Sequence, residues 1–342
     1  MGITAKELAK LLDLSPSAVS IALNHKPGVS TATRKKVLEA AALHGYDLER
    51  HIQTAQNTNL GTIYFVIYRK HGAVVTDTPF FAQLSEGIAA RSKELGYYLS
   101  IQYLYEDEFQ DEIFHDWKMQ GCVGMILLAT EMQQSDLGPF LKSGLPIVLL
   151  DNHFDEINQD DLKMDSVIID NVQGAFTATT HLLRTYHKQP GYLKSSYSIN
   201  NFEERADGFY KAIRKNGLST KQSTVHLLTP STEGAYEDMK ALLESGERPE
   251  RCYFADNDLI AAGAIRALKE QGYRIPADVA IIGFDDMPLC TYMEPPLSTM
   301  YVPKKELGEV ALDRLLRRIG DDSTYPAMKI ALNTSLRRRK SS

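Results

Sequence analysis

From residue 61 onward the sequence repeats one pattern twice, an apolar strand-like run followed by an amphipathic helical stretch, and few folds accommodate it. The first series reads GTIYFVIY (61–68), YLSIQYLY (98–105), VGMILLA (123–129) and PIVLLDN (146–152), with segments such as FAQLSEGIAARSKELG between. The rhythm then restarts with VIIDN, GYLKSS, STVHLLT, RCYFADN and VAIIGFDD, separated by helical segments such as ERADGFYKAIRKNG and DLIAAGAIRALKEQG. Strands alternating with helices imply parallel sheets covered on both faces. Two series of similar size predict two lobes with a cleft between them. Open α/β sheets bind ligands beyond the carboxyl ends of their strands. The polar residues there are Asp151, Asn152, Asp170, Asn171, Asp256, Asn257, Asp285 and Asp286.

The first 46 residues follow a different, all-helical pattern. Thr4 and Glu7 have capping-box spacing, and Leu8, Leu11 and Leu12 recur at helical intervals, predicting a helix over 5–12. Asp13 and Leu14 form the turn, and Ser15 caps a second helix with Pro16 in its first turn, ending near Asn24. Ser30 caps a third helix carrying Val37, Leu38 and Ala41, and Gly45 supplies a left-handed stop. The expected boundaries are a head over 1–46, a linker over 47–59 and a two-lobed domain over 60–342.

Charge separates these parts. The chain of 342 residues has a net charge of −6. Yet residues 1–36 carry Lys6, Lys10, Lys26, Arg34, Lys35 and Lys36 against only Glu7 and Asp13, so the head alone suits phosphate. No apolar run spans a bilayer and no secretory signal is evident, so a cytoplasmic protein without membrane association is expected. Cys122, Cys252 and Cys290 are far apart, with no metal-ligand spacing, and read as buried thiols. The terminal run Arg337 to Lys340 reads as a solvated tail.

The pair of helices over 5–24 has helix-turn-helix proportions. In that motif the second helix enters the major groove, which makes Ser15, Pro16, Ser17, Ser20 and Ile21 the base-facing candidates. A plain three-helix subdomain is the alternative. The chain then resembles the lactose-repressor (LacI/GalR) family over nearly its whole length. In the head, ITAKELAKLLDLSPSAVSIALNHKPGVSTATRKKVLEAAALHGY carries the resemblance; in the body, PFFAQLSEGI, VIIDNVQGAFTATTHLL, ERADGF, ADNDLIAAGAIRAL, GYRIPADVAIIGFDD and PPLSTM follow in order. The resemblance implies a helix-turn-helix head on a periplasmic-binding-protein-like α/β domain. It further implies a homodimeric repressor or activator, with a repressor expected, that binds palindromic operator DNA under control of a small-molecule effector. Thr4, Asn24, His25, Ser30, Thr33 and Arg34 complete its candidate DNA contacts.

Departures from the family pattern are specific. Ala18 and Ile21 stand where Thr and Arg are usual, so readout rests on Pro16, Ser17 and Ile21, and Ile21 suits a thymine methyl rather than guanine. The linker DLERHIQTAQNTNLGTI lacks the family's Pro-Asn pair; Ile52 is the candidate minor-groove wedge, and a loose linker is the alternative. For the effector, the resemblance carries over Arg205, Asp285, Asp151 and Asn257, with Phe80 and Phe81 at the mouth of the cleft. A planar guanidinium suits paired hydrogen bonds. A sugar-like polyhydroxy metabolite is expected, although TPSTEG (229–234) offers no ring to stack on a pyranose. Alternatively, Arg205 ion-pairs at the surface and the strand-end residues merely cap helices. Glu204, Asp207 and the Asp285/Asp286 pair can be read as acid/base carboxylates. No nucleophile elbow, P-loop or HExxH motif accompanies them, so no enzyme activity, cofactor or metal is expected. A two-lobed binding protein without operator recognition is the alternative function.

Overall fold

The computed structural model of the protein describes residues 5–23, 29–30, 33, 35–37, 40–41, 60–75, 79–106, 113–154, 164–320 and 326–342. The chain divides into two compact units, residues 1–60 with 96–98, and residues 61–95 with 99–342.

The smaller unit contains helices Ala5–Leu12 and Pro16–Leu23, and residues 33, 35–37 and 40–41 are helical too. The turn between the first two helices places Asp13 at φ 54°, a left-handed conformation that Asp tolerates. Ser15 Oγ accepts the Ala18 N–H at 3.1 Å, so it caps the second helix as expected, and Ser30 Oγ does the same for Thr33 N–H at 3.0 Å. Leu8, Ala9, Val19, Ala22, Leu23, Val37 and Ala41 form one buried core. Leu11 differs from expectation: three positions beyond Leu8 it turns outward and is exposed. Thr4, Leu38 and Gly45 lie outside the described residues.

The larger unit holds two six-stranded sheets. Lobe one contains β1 (Thr62–Arg69), β2 (Tyr98–Tyr105), β3 (Cys122–Leu128), β4 (Ile147–Leu150), β5 (Asp165–Ile169) and β11 (Lys329–Leu332), in the order β11-β5-β4-β3-β1-β2. Lobe two contains β6 (Gly191–Ser195), β7 (Val225–Leu228), β8 (Cys252–Ala255), β9 (Ala280–Asp285), β10 (Ser298–Tyr301) and β12 (Ser335–Arg337), in the order β12-β10-β9-β8-β6-β7. The central strands β4, β5, β8 and β9 are buried along their whole length, as helices on both faces of a parallel sheet require. The chain passes between lobes after β5, after β10 and between β11 and β12.

Three differences from the expected pattern sit near the carboxyl end. β10, β11 and β12 are short, and in β11 and β12 alternate residues are only half-buried and the rest exposed, so neither carries the apolar run of a central strand. β12 pairs antiparallel with β10, an exception in the parallel sheets; it follows β11 by a two-residue link with no crossover helix to reverse its direction. The terminal basic run is not a free tail. Arg337 lies in β12, Arg339 Nη2 reaches Asp286 at 2.7 Å, and Ser341 is buried with its hydroxyl on the Ile281 carbonyl. The cysteines are buried free thiols, as expected. No helix among the described residues is long and apolar enough to cross a membrane.

Lobe one is closed by helices Pro79–Glu94 and Lys304–Gly320, which pack against each other. Their approach needs glycine: a Cβ on Gly87 meets the Lys305 carbonyl oxygen at 2.1 Å, and one on Gly308 meets that of Leu84 at 2.5 Å. The second helix also carries a buried ion pair. Asp165, at the start of β5, accepts from Arg314 Nη2 at 2.7 Å and from Arg318 Nη2 at 2.6 Å, and takes the Met328 N–H at 2.8 Å. Burial alone raises an acid, but these donors outweigh it and hold the Asp165 carboxyl below its ordinary value. Replacement Asp165→Ala strands two buried guanidinium groups. It is expected to cost about 3–5 kcal/mol, read as a loss of thermal and denaturant stability of the purified protein.

Candidate functional site

The carboxyl ends of the strands in both lobes open onto a cleft of about 480 Å³, part of it continuous with solvent. Phe80, Phe81 and Asp151 line it from lobe one, and Arg205, Asn257 and Asp285 from lobe two. The six residues singled out in the sequence for effector contact therefore face one space. Pro79 begins the helix that presents both phenylalanines, which meet edge to face with ring centroids 5.1 Å apart.

Arg205 is the centre of the arrangement. It lies on helix Asn200–Lys215 and is 3% exposed, so the surface ion-pair alternative does not hold. Its Nε donates to Asn171 Oδ1 at 2.9 Å, Nη1 donates to the Asp256 carbonyl, and Nη2 reaches Asp285 Oδ1 at 3.3 Å. The guanidinium lies 3.8 Å from the centroid of Phe284. Asn171, first in helix Asn171–Tyr186, also donates to Glu204 at 2.8 Å and Asn201 at 3.2 Å, tying two helices to the same group. Asp285 holds φ 111°, a region that side-chain-bearing residues rarely adopt. Lys304 Nζ, itself buried, donates to the Asp285 carbonyl and braces that turn. Strain retained at a cleft by surrounding bonds is typical of a ligand site.

Asp151 and Asp285 line the cleft, and Asp256 and Asp258 are fully buried. Asp151 sits at φ 66°; its Oδ2 accepts from the Thr130 hydroxyl at 2.7 Å, while Oδ1 is buried without a hydrogen-bond partner. Burial pushes its carboxyl up to about 6, tempered by the Thr130 bond, the Arg205 charge and the neighbouring Asn201 side chain. Asp256 accepts the Ser195 N–H at 2.7 Å and the Tyr192 hydroxyl, yet burial still pushes it up to about 7. Burial likewise raises Asp258, which receives Thr299 Oγ1 at 2.6 Å and Met287 N–H at 2.8 Å, and it raises Asp285 against the pull of Arg205 and Lys304. Desolvation in turn lowers Lys304.

The capping alternative holds in part. Asn257 Oδ1 accepts the Ile260 N–H at 2.8 Å and caps helix Asp258–Glu270, so this cleft-lining residue also caps a helix. Asp170 caps the helix from Asn171 through Gln173 N–H. Asp286 is taken by Arg339. Sequence reasoning missed Thr130, Asn201, Phe202 and Met287, which also line the cleft. Asn201 stands four residues before Arg205, so helical spacing was its available signal. Glu131 was missed as well. It accepts the N–H groups of Lys70, His71, Gly72, Val74 and Val75 at 2.7–3.2 Å and fixes the loop that carries Val74 into the cleft wall. Those donors outweigh its burial and lower its carboxyl. Among the described residues, no cluster of His, Cys, Asp and Glu is placed to hold a metal.

In the head, Ser15, Pro16 and Ser30 are exposed, and Ile21 and Thr33 are half-buried. Ser17 and Ser20 lie on the same helix, Pro16–Leu23. Thr4, Asn24, His25, Arg34 and Ile52 lie outside the described residues.

Comparison with known proteins gives two matching family descriptions: bacterial regulatory proteins of the lacI family over residues 4–47, and a periplasmic binding protein-like domain over residues 179–342. The repressor PurR of Mannheimia succiniciproducens is 29% identical over 318 residues, 92% of each chain. The ribose operon repressor of Haemophilus influenzae is 29% identical over 321 residues, again 92% of each. Among solved structures, a complex of the transcriptional regulator CelR with cellobiose superposes with TM-score 0.72 at 24% identity, covering 99% of this chain and 100% of that one. A lac repressor dimer bound to operator and the anti-inducer ONPF gives 0.68 at 23%, covering 100% and 99%.

The raised acids make stability depend on pH. A carboxyl raised in the folded state contributes stability that is complete below its unfolded value and is lost as pH rises through the folded one. With Asp151 near 6 and Asp256 near 7, the melting temperature of the ligand-free protein is expected to fall as pH rises from 5 to 8. Asp256→Asn is expected to flatten that slope, as differential scanning calorimetry at several pH values will read.

Proposed function

We propose, from the premise that this chain belongs to the lacI family of bacterial regulatory proteins, that it is a sequence-specific transcriptional regulator, acting as a repressor, whose grip on operator DNA is set by a small molecule held between its two lobes. The observation that carries this reading is the pairing, on one chain, of a capped helix-turn-helix with a cleft built around a buried, multiply anchored arginine. The division proposed is a head over 1–46, a linker over 47–59 and an effector domain over 60–342. Ser15, Pro16, Ser17, Ser20 and Ile21 would meet the major groove; Thr4, Asn24, His25, Ser30, Thr33 and Arg34 would flank it, and Ile52 is the candidate wedge in the linker.

The effector contacts proposed are Asp151, Phe80 and Phe81 from lobe one with Arg205, Asp285 and Asn257 from lobe two. A ligand touching both sets favours the closed lobes over the open ones. Only such a difference in affinity between two states can pass from cleft to head. A ribose operon repressor and a cellobiose-bound regulator among its relatives support a sugar-like effector. The carboxylates of the cleft are read as hydrogen-bond acceptors for that effector rather than as acid and base, so the protein is not an enzyme. A cytoplasmic location fits this role. A single head reads one half-site, so a homodimer on a palindrome is the matching assembly.

Selection from a random duplex library is expected to enrich a palindrome bound by the full-length protein. The logarithm of the binding constant should fall linearly with the logarithm of salt, by about 0.9 per neutralised phosphate. No enriched sequence, with and without pooled sugars, contradicts the regulator reading and favours a binding protein without operator recognition.

A further inference from the structure

The effector reading leaves open whether the ligand is neutral, anionic or amine-bearing, and the cleft is not indifferent to that choice. Asp151 lines the cavity and is 2% exposed; its Oδ2 is held by Thr130, while Oδ1 is buried with no partner at hydrogen-bond distance and the Asn201 side chain nearby. A second carboxylate, Asp285, faces the same space from the other lobe. Among the described lining residues Arg205 is the single cation, and it is already engaged by Asn171, the Asp256 carbonyl and Asp285, with its face on Phe284. Lys304, behind the wall, is turned onto the carbonyl oxygens of Val302, Asp285 and Asp286. A ligand entering this space therefore meets one acceptor short of a donor, on Asp151, and a cation whose charge is largely answered by Asp285.

We propose that the cleft selects against anions: it takes an unphosphorylated, uncarboxylated molecule whose hydroxyl or protonated amino group donates to Asp151 Oδ1, with an amine preferred there. A buried acceptor left unmet is costly, so the donor that meets it gains disproportionately. A charged donor gains more than a neutral one. A phosphate or carboxylate brings instead a like charge beside Asp151 in a medium that screens it poorly, while Asp285 holds the one lining cation, Arg205, already paired. Phe80, Phe81 and Phe202 complete the selection with apolar walls that solvate no anion. The inference rests on the effector reading above and assigns Asp151 the discriminating role within it.

The test is calorimetric titration of the full-length protein with matched probes: D-ribose and D-ribose 5-phosphate, D-glucose, D-glucosamine and D-glucose 6-phosphate, cellobiose, and nucleosides with their monophosphates. Every probe that binds is expected to be neutral or amine-bearing and to outbind its phosphorylated counterpart by about 100-fold or more, the scale of like-charge juxtaposition. Asp151→Asn keeps a side chain that tolerates the left-handed backbone at this position, and it is expected to shrink that ratio to below about tenfold. A phosphorylated probe that binds as tightly as its parent overturns the charge rule in the wild-type protein alone. Undiminished discrimination in a folded Asp151→Asn variant overturns the role of Asp151. Binding by no probe at all contradicts the effector reading itself, and the inference falls with it.

Discussion

The guanidinium of Arg205 is the constraint around which the second lobe is arranged. It joins the start of one helix through Asn171, the end of β8 through the Asp256 carbonyl and the end of β9 through Asp285. A cation is costly to bury unless it is paired and hydrogen-bonded, and here each strand end supplies part of the compensation. The strained turn at Asp285 follows, since a carboxylate has to reach the arginine from a strand that would otherwise continue past it. Lys304 then stabilises that turn from the helix of lobe one, across the passage after β10. The turn that pairs with Arg205 is thus also a point of contact between the two lobes.

Lobe one is organised by carboxylates in a comparable way. Glu131 gathers five backbone N–H groups and turns the segment after β1 into a fixed wall. Asp165 joins helix Lys304–Gly320 to β5 through two arginines. These anions are satisfied on every side, whereas Asp151 keeps one oxygen unmet. That contrast sets Asp151 apart from the carboxylates that hold the fold, in keeping with the effector contact proposed for it. It also places a donor-seeking group on the lobe opposite Arg205, the geometry a ligand needs if it is to favour closure.

Much of this was legible in the sequence. The central strands announce themselves because burial on both faces demands continuous apolar runs, as in VAIIGFDD and RCYFADN, and the caps Ser15 and Ser30 because their side chains replace missing helical bonds. The edge strands β11 and β12 were not legible, since KIAL and SLR only half-bury alternate residues and resemble loop. Arg205, Asp151 and Asp285 were found through a family resemblance, whereas Thr130, Asn201 and Met287 were not. A threonine at a strand end or an asparagine on a helix is commonplace in sequence, and its role arises only when the topology brings separate strand ends together. The basic run at 337–340 misled for the same reason: its partner Asp286 lies some fifty residues away in sequence but beside it in the sheet.

The central claim is that occupancy of the cleft, transmitted through Arg205, alters DNA binding by the head. The most direct measurement is the operator affinity of wild-type protein and of Arg205→Lys, by fluorescence anisotropy, with and without a ligand shown to bind the wild type. Lysine keeps the charge but cannot span three acceptors. The account predicts that the variant, checked as folded by circular dichroism, still binds the operator in the ligand's absence and no longer responds to the ligand. A variant whose operator affinity still shifts with ligand as the wild type does would contradict it.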